Sequence, residues 1–117
     1  MEKNLVLDNV ISSVSLEDKE GYVVDFNGAL IVNAGGGCLG AVYAGRPAGE
    51  ANVAVISGIY DVYVDGATAN ISVNDPLTAG GGATAGEMTK ATIGTHPVRA
   101  YAREAATTNK KISVMFV

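Results

Sequence analysis

The stretch Gly58-Ile-Tyr-Asp-Val-Tyr-Val-Asp-Gly66 alternates its side chains with a period of two, and this rhythm constrains the chain more than any other feature. Tyr60, Val62 and Val64 share one face of such a strand, while Asp61, Tyr63 and Asp65 share the other. Comparable short β-prone runs recur at 21–26, 29–33, 39–43, 51–57, 98–103 and 111–117, and no long stretch shows convincing helical periodicity. Turn residues separate them: Asn27-Gly28, Gly45-Arg46-Pro47, Asp65-Gly66 and Asn74-Asp75-Pro76. This arrangement predicts an all-β fold, a small β-barrel or sandwich of short strands, with little helix.

Local signals sharpen the expectation. Asn27-Gly28 predicts a two-residue hairpin turn of type I′. Gly58, inside a long β-prone stretch, predicts a bulge or bend. Residues 79–86, AGGGATAG, read as a mobile loop. Residues 1–20 lack a clear turn partner and read as an extended N-terminal arm, strand-like on contact with something else, ahead of a single β-rich body over 21–117. Its apolar residues Leu5, Val6, Leu7, Val10 and Ile11 are candidates for contact with a partner.

With 117 residues the chain has the size of one domain. Its apolar content comes from small side chains, with no Trp and two Phe, so burial against further copies would add stability. The net charge of −4 argues against nucleic acid as the main partner. From Met88 onward, however, Lys90, Arg99, Arg103, Lys110 and Lys111 face Glu104 alone, which is either an ordinary solvated surface or a basic face for an acidic partner. No segment approaches the roughly 20 apolar residues of a membrane helix, and the N-terminus lacks the apolar core of a secretory signal. A soluble protein is expected. The lone Cys38 allows no intrachain disulfide.

The search for chemistry is negative. Gly35-Gly-Gly-Cys-Leu-Gly40 matches the dinucleotide fingerprint in letters. That fingerprint works only where the last glycine opens a helix, and Gly45 and Pro47 leave no room for one. Asp61 and Asp65 share a face but lie roughly 13 Å apart along a strand, too far to share an ion. Asp75 precedes a proline and reads as a turn residue. His96 is the sole histidine, no serine sits in a nucleophile setting, and Cys38 has no basic neighbour in sequence to activate it. Catalysis, cofactors and metals are not expected.

The second half also forms an ordered series. Gly58 to Gly66 leads to Ile71-Ser-Val-Asn-Asp-Pro-Leu-Thr78, then a glycine loop, then Val98-Arg-Ala-Tyr-Ala-Arg-Glu-Ala-Ala106 and Lys110-Lys-Ile-Ser-Val-Met-Phe-Val117. This series resembles the head-decoration, or capsid-cement, proteins of tailed bacteriophages, in which G-x-x-x-V-x-V-D-G, G-D-P-L and V-G-x-A-L-E-A follow in that order. Asn74 stands where that pattern has a glycine, which a positive φ would accommodate, and Arg99 replaces a second glycine. The resemblance implies a β-rich homotrimer on the outer surface of the expanded capsid, made in the bacterial cytoplasm and bound to the major capsid protein. It would stabilise the shell against DNA pressure, without catalysis or cofactor. On this expectation the N-terminal residues named above contact the capsid, and Ile112, Val114 and Phe116 form a trimer face. Two alternatives stand beside it. One is a β-barrel that binds a small ligand or glycan on Tyr43, Tyr60, Tyr63 and Tyr101. The other is a different virion component, such as a head-fibre base or tail protein.

Overall fold

Val62, Val64, Ile112 and Val114 all turn inward, because the strands that carry them pair along most of their length. In the computed structural model, which describes residues 2–117, eight strands follow in order: β1 (Lys3–Ile11), β2 (Val23–Val24), β3 (Gly40–Ala44), β4 (Ala51–Asp65), β5 (Pro76–Ala79), β6 (Met88–Lys90), β7 (Ala100–Ala102) and β8 (Asn109–Phe116). The described residues contain no helix.

The second half of β4 runs antiparallel to β8, from Gly58↔Phe116 to Asp65↔Asn109. On β4's pairing with β6 the ladder continues through β5 and β7 back to β8. Strands β4, β6, β5, β7 and β8 therefore close into a five-stranded barrel, which removes free edges from this half of the molecule. Its interior is narrow, and the sequence fits it with small residues. Ala79, Ala100 and Ala102 are almost fully buried beside Leu77, Met88, Ile112 and Val114.

The first half of β4 carries the same sheet beyond the barrel. There it pairs with β1 and β3, and β3 pairs in turn with β2. Val10, Leu16, Val24 and Val42 make a smaller core under the 12–20 segment. That segment is fastened: Leu16 N–H donates to Arg46 O (3.0 Å) and Ser12 Oγ donates to Gly28 O (2.9 Å). Asn52, buried, ties the two together, accepting from Arg46 N–H and donating to Val10 O (3.2 Å).

Gly58 is the joint between the halves. Its φ is +104°, and a Cβ there would lie 2.5 Å from Asn4 O and 2.7 Å from Lys3 O. The expected bulge is thus the place where β1 crosses closest to β4, next to its register shifts between Lys3, Val6 and Leu7.

Several local expectations need correction. Phe26, Asn27 and Gly28 form a three-residue hairpin loop rather than a two-residue type I′ turn: Gly28 N–H donates to Asp25 O (3.0 Å), and only Gly28 has positive φ (+78°). Asp25 Oδ1 selects this turn by accepting from Asn27 N–H (2.9 Å) and Ala29 N–H (3.0 Å). Residues 79–86 are not a mobile loop but a pinned one, flanked by strands β5 and β6. Asn74 does take the positive φ (+74°) that its place in the series requires. The His96–Pro97 peptide is trans.

Candidate functional site

The apolar residues of the N-terminal segment divide by their place on β1. Val10 is buried in the small core and Leu5 packs partly against the barrel core. Val6, Leu7 and Ile11 are exposed, and Val14 beyond the strand adds a fourth exposed side chain. Among the described residues β1 pairs with β4 alone, so its other edge has no strand neighbour. The segment read as an arm therefore lies along its own chain and still offers an edge strand with three apolar side chains in water. Met1 lies outside the described residues.

Ile112, Val114 and Phe116 do share one face, but that face points into the barrel, where none of the three is more than 7% exposed. They cover their own chain and have no surface to offer a second copy. The outward side of β8 and its neighbour β7 presents Met115 and Tyr101, cross-strand partners that are 45% and 40% exposed.

The four tyrosines do not assemble into a platform. Tyr60 is buried, donates its hydroxyl to Val42 O (3.3 Å), and is pushed up to about 12 by burial, with nearby Glu2 and Glu20 carboxylates acting in the same direction. Tyr43 tilts against it at 5.8 Å. Tyr63 is stacked on Tyr22 (4.2 Å between ring centres), and Lys111 sits 4.9 Å over Tyr63 while Lys19 sits 5.5 Å from the Tyr22 centroid. Both broad faces of that stack are already covered, which leaves Tyr43 and Tyr101 exposed at separate places rather than on one platform. The late basic residues are likewise partly engaged. Lys90 pairs with Asp75 (3.4 Å), and Arg103 donates to Ser113 Oγ (3.2 Å).

The residues searched for chemistry have structural tasks. Asp65 accepts from Thr68 N–H (3.0 Å), Thr68 Oγ1 (2.8 Å) and Ala83 N–H (2.9 Å). Burial pushes its carboxyl up, but these hydrogen bonds outweigh burial and hold it below the ordinary value. Burial raises the Cys38 thiol to about 11 in spite of the nearby Arg99 guanidinium, which disfavours the thiolate. His96 Nδ1 accepts from Thr92 N–H (3.2 Å) in the turn before β7. Gly40 of the fingerprint-like motif opens β3, not a helix.

The first hairpin and the glycine loop after it enclose an open groove of about 330 Å³, bordered by Phe26, Asn27, Asn33, Gly36 and Gly37. The sequence shows only that these residues are polar, aromatic and glycine. Their convergence depends on the hairpin turn placing Phe26 at its tip.

No protein-family model matches this chain, and no curated protein does. Among solved structures, the chain is similar to the N base of head fiber gp8.5 of bacteriophage phi29. The TM-score is 0.52 at 15% identity, covering 97% of this chain and 94% of that one. The likeness is one of fold, and it spans both the barrel and the N-terminal part of the sheet.

Proposed function

We propose that this chain is a structural protein of a bacteriophage virion, bound to the outer surface of the head as a decoration protein. The observation that carries this reading is the fold likeness to a phage head-fiber base over nearly the whole of both chains. The turn-and-strand series over 58–117, which resembles head-decoration proteins, supports it independently. A second reading, the base of a head fibre, is favoured by the same structural neighbour.

In this proposal the partner is the major capsid protein, and the contact is made by the exposed edge of β1 with Val6, Leu7 and Ile11. An unpaired strand edge accepts an extended segment of another chain, with backbone hydrogen bonds supplying affinity. Three copies on a three-fold site would gain about 10²–10⁴ in avidity from simultaneous attachment. Tyr101 and Met115 are the proposed contact between copies, since the face of Ile112 is occupied.

Co-sedimentation of the purified chain with expanded and unexpanded heads tests the reading, together with native mass. Binding to expanded heads by a trimer is expected. Leu7→Asp with Ile11→Asp, both at exposed positions, should leave folding intact and weaken that binding at least about tenfold. Failure to bind either form of head overturns the function, and unchanged binding by the double variant overturns the role of β1. Resistance of filled heads to rupture separates the two readings: a cement raises it, whereas a fibre base binds without raising it.

A further inference from the structure

We infer that the groove beside the first hairpin is a binding site for a neutral pyranose sugar. Its volume of about 330 Å³ lies at the lower end of small-molecule sites, the range of a single sugar ring rather than a peptide. Three features of its lining match the three features of such a ring.

The first is a hydrophobic face. Phe26 stands at the hairpin tip and is 71% exposed. A phenyl ring left in water at the rim of a concavity is a surface for the C–H face of a sugar, and Leu30 and Ile31 continue it at the groove floor. The second is a set of hydrogen-bonding groups of both kinds. The side-chain amides of Asn27 and Asn33 make no hydrogen bond within the described chain, and each offers a donor and an acceptor. Asp25 adds a carboxylate whose position is fixed by the Asn27 and Ala29 N–H groups. Vicinal hydroxyls, which donate and accept from adjacent carbons, suit such a set. The third is close approach to backbone. Gly36 and Gly37 also line the groove, and a Cβ on Gly37 would meet nothing within 4 Å.

Charge narrows the class. One carboxylate lines the groove and no Lys, Arg or His does, so an anionic sugar or phosphate would be repelled. A single carboxylate is also too few ligands for a divalent cation. The site is held ready: Gly28 N–H to Asp25 O (3.0 Å), Gly35 N–H to Ala79 O (3.0 Å) and Gly36 N–H to Asn33 O (3.1 Å) fix its lining. A preformed groove loses little entropy on binding. Its lining includes none of the stacked tyrosines and no residue of β1, so it adds a second capacity to the proposed virion protein.

The test is titration of the full, isotope-labelled chain, followed by backbone-amide resonances. The probes are methyl β-D-galactopyranoside, methyl α-D-glucopyranoside, methyl α-L-rhamnopyranoside and N-acetylglucosamine, with N-acetylneuraminic acid as the anionic comparison. Saturable shifts at residues 25–37 are expected with at least one neutral probe, at a Kd on the order of millimolar, and none with the acidic sugar. Phe26→Ala and Asn33→Ala, at exposed positions, should each weaken binding at least about tenfold with the thermal midpoint unchanged. Ile93→Ala, exposed elsewhere, should have no effect. Absence of saturable shifts at 25–37 for all four neutral probes at roughly 50 mM overturns the inference. So does undiminished binding by Phe26→Ala or preference for the acidic sugar. Phe26→Ala should still co-sediment with heads, which keeps failure here distinct from failure of the capsid reading.

Discussion

The tetrapeptide Ala-Gly-Gly-Gly occurs twice, at 34–37 and at 79–82, and the two copies have opposite fates. The second is fastened from every side. Gly80 N–H donates to Glu87 O (3.0 Å), Gly81 N–H to Val32 O (2.8 Å), and Thr89 Oγ1 donates to Gly80 O (2.8 Å). Two buried carboxylates hold the residues that follow: Asp65 accepts from Ala83 N–H and Glu87 from Thr84 N–H (both 2.9 Å). The first copy has fewer ties, Gly35 N–H to Ala79 O and Gly36 N–H to Asn33 O, and its Gly36 and Gly37 border the open groove. Identical composition thus gives a rigid clasp in one place and an exposed wall in the other. Glycine content permits mobility, but the hydrogen bonds offered by neighbours decide it.

The sharpest way to break this contrast is Gly80→Ala. Gly80 has φ +86°, and a Cβ there would collide with Asn33 O and lie 2.7 Å from Ile31 Cγ2. Left-handed strain and a backbone collision act together, and neither neighbour is the far end of a flexible side chain. A loss of about 3 kcal/mol or more is expected from urea denaturation. A loss under about 1 kcal/mol would mean that the second loop yields as readily as its composition suggests.

Asp65→Asn comes next. One side-chain oxygen becomes an NH₂ group facing N–H and O–H donors, so at least one buried donor loses its acceptor. The expected cost is about 2 kcal/mol at neutral pH. Because the folded-state carboxyl titrates below its ordinary value, the native protein binds this proton less readily than the unfolded chain. Its stabilisation is therefore complete above the unfolded pKa of about 4 and declines as pH falls below it. The gap between wild type and Asp65→Asn should be wide at neutral pH and narrow in acid, as followed by urea midpoints across that range. A gap independent of pH would remove the charged carboxylate from the explanation.

The same contrast shows what could be read before the fold was known. The all-β class was legible because alternation at Tyr60, Val62 and Val64 reports which side chains share a face, and those three are buried as a set. Gly58 was legible as a bend because a glycine interrupts a β-prone stretch, and Asn74 because the resembling series has a glycine at its place; both take positive φ. Strand β5 was not. Its first residue is Pro76, which reads as a stop, yet a proline is tolerated where a strand begins. Strand β6 is three residues long and carries no period at all. Without those two the barrel has no closure, and Ile112, Val114 and Phe116 look like a face awaiting another copy. Alternation identifies an apolar face but never the chain that covers it. The groove was hidden for a related reason, since Phe26 alternates correctly as a strand residue and leaves the strand only because the Asp25 carboxylate selects a three-residue turn.

Gly37→Ala is the smallest effect and completes the comparison from the other side. Gly37 lies outside the left-handed region, and its missing Cβ would meet no atom within 4 Å. The native state therefore accommodates the methyl group without collision, while the unfolded chain loses some of its freedom. A gain of about 0.4–1 kcal/mol is expected in urea denaturation, with an unchanged m-value. Gly80→Ala and Gly37→Ala are the same chemical change, made at the first glycine of one copy and at the last of the other. They differ in backbone conformation and in what a Cβ would meet, and both differences belong to the environment. If the two variants lost stability equally, the clasp at 79–86 would contribute nothing beyond composition, and the division of the two loops into a fastened one and an open one would fail.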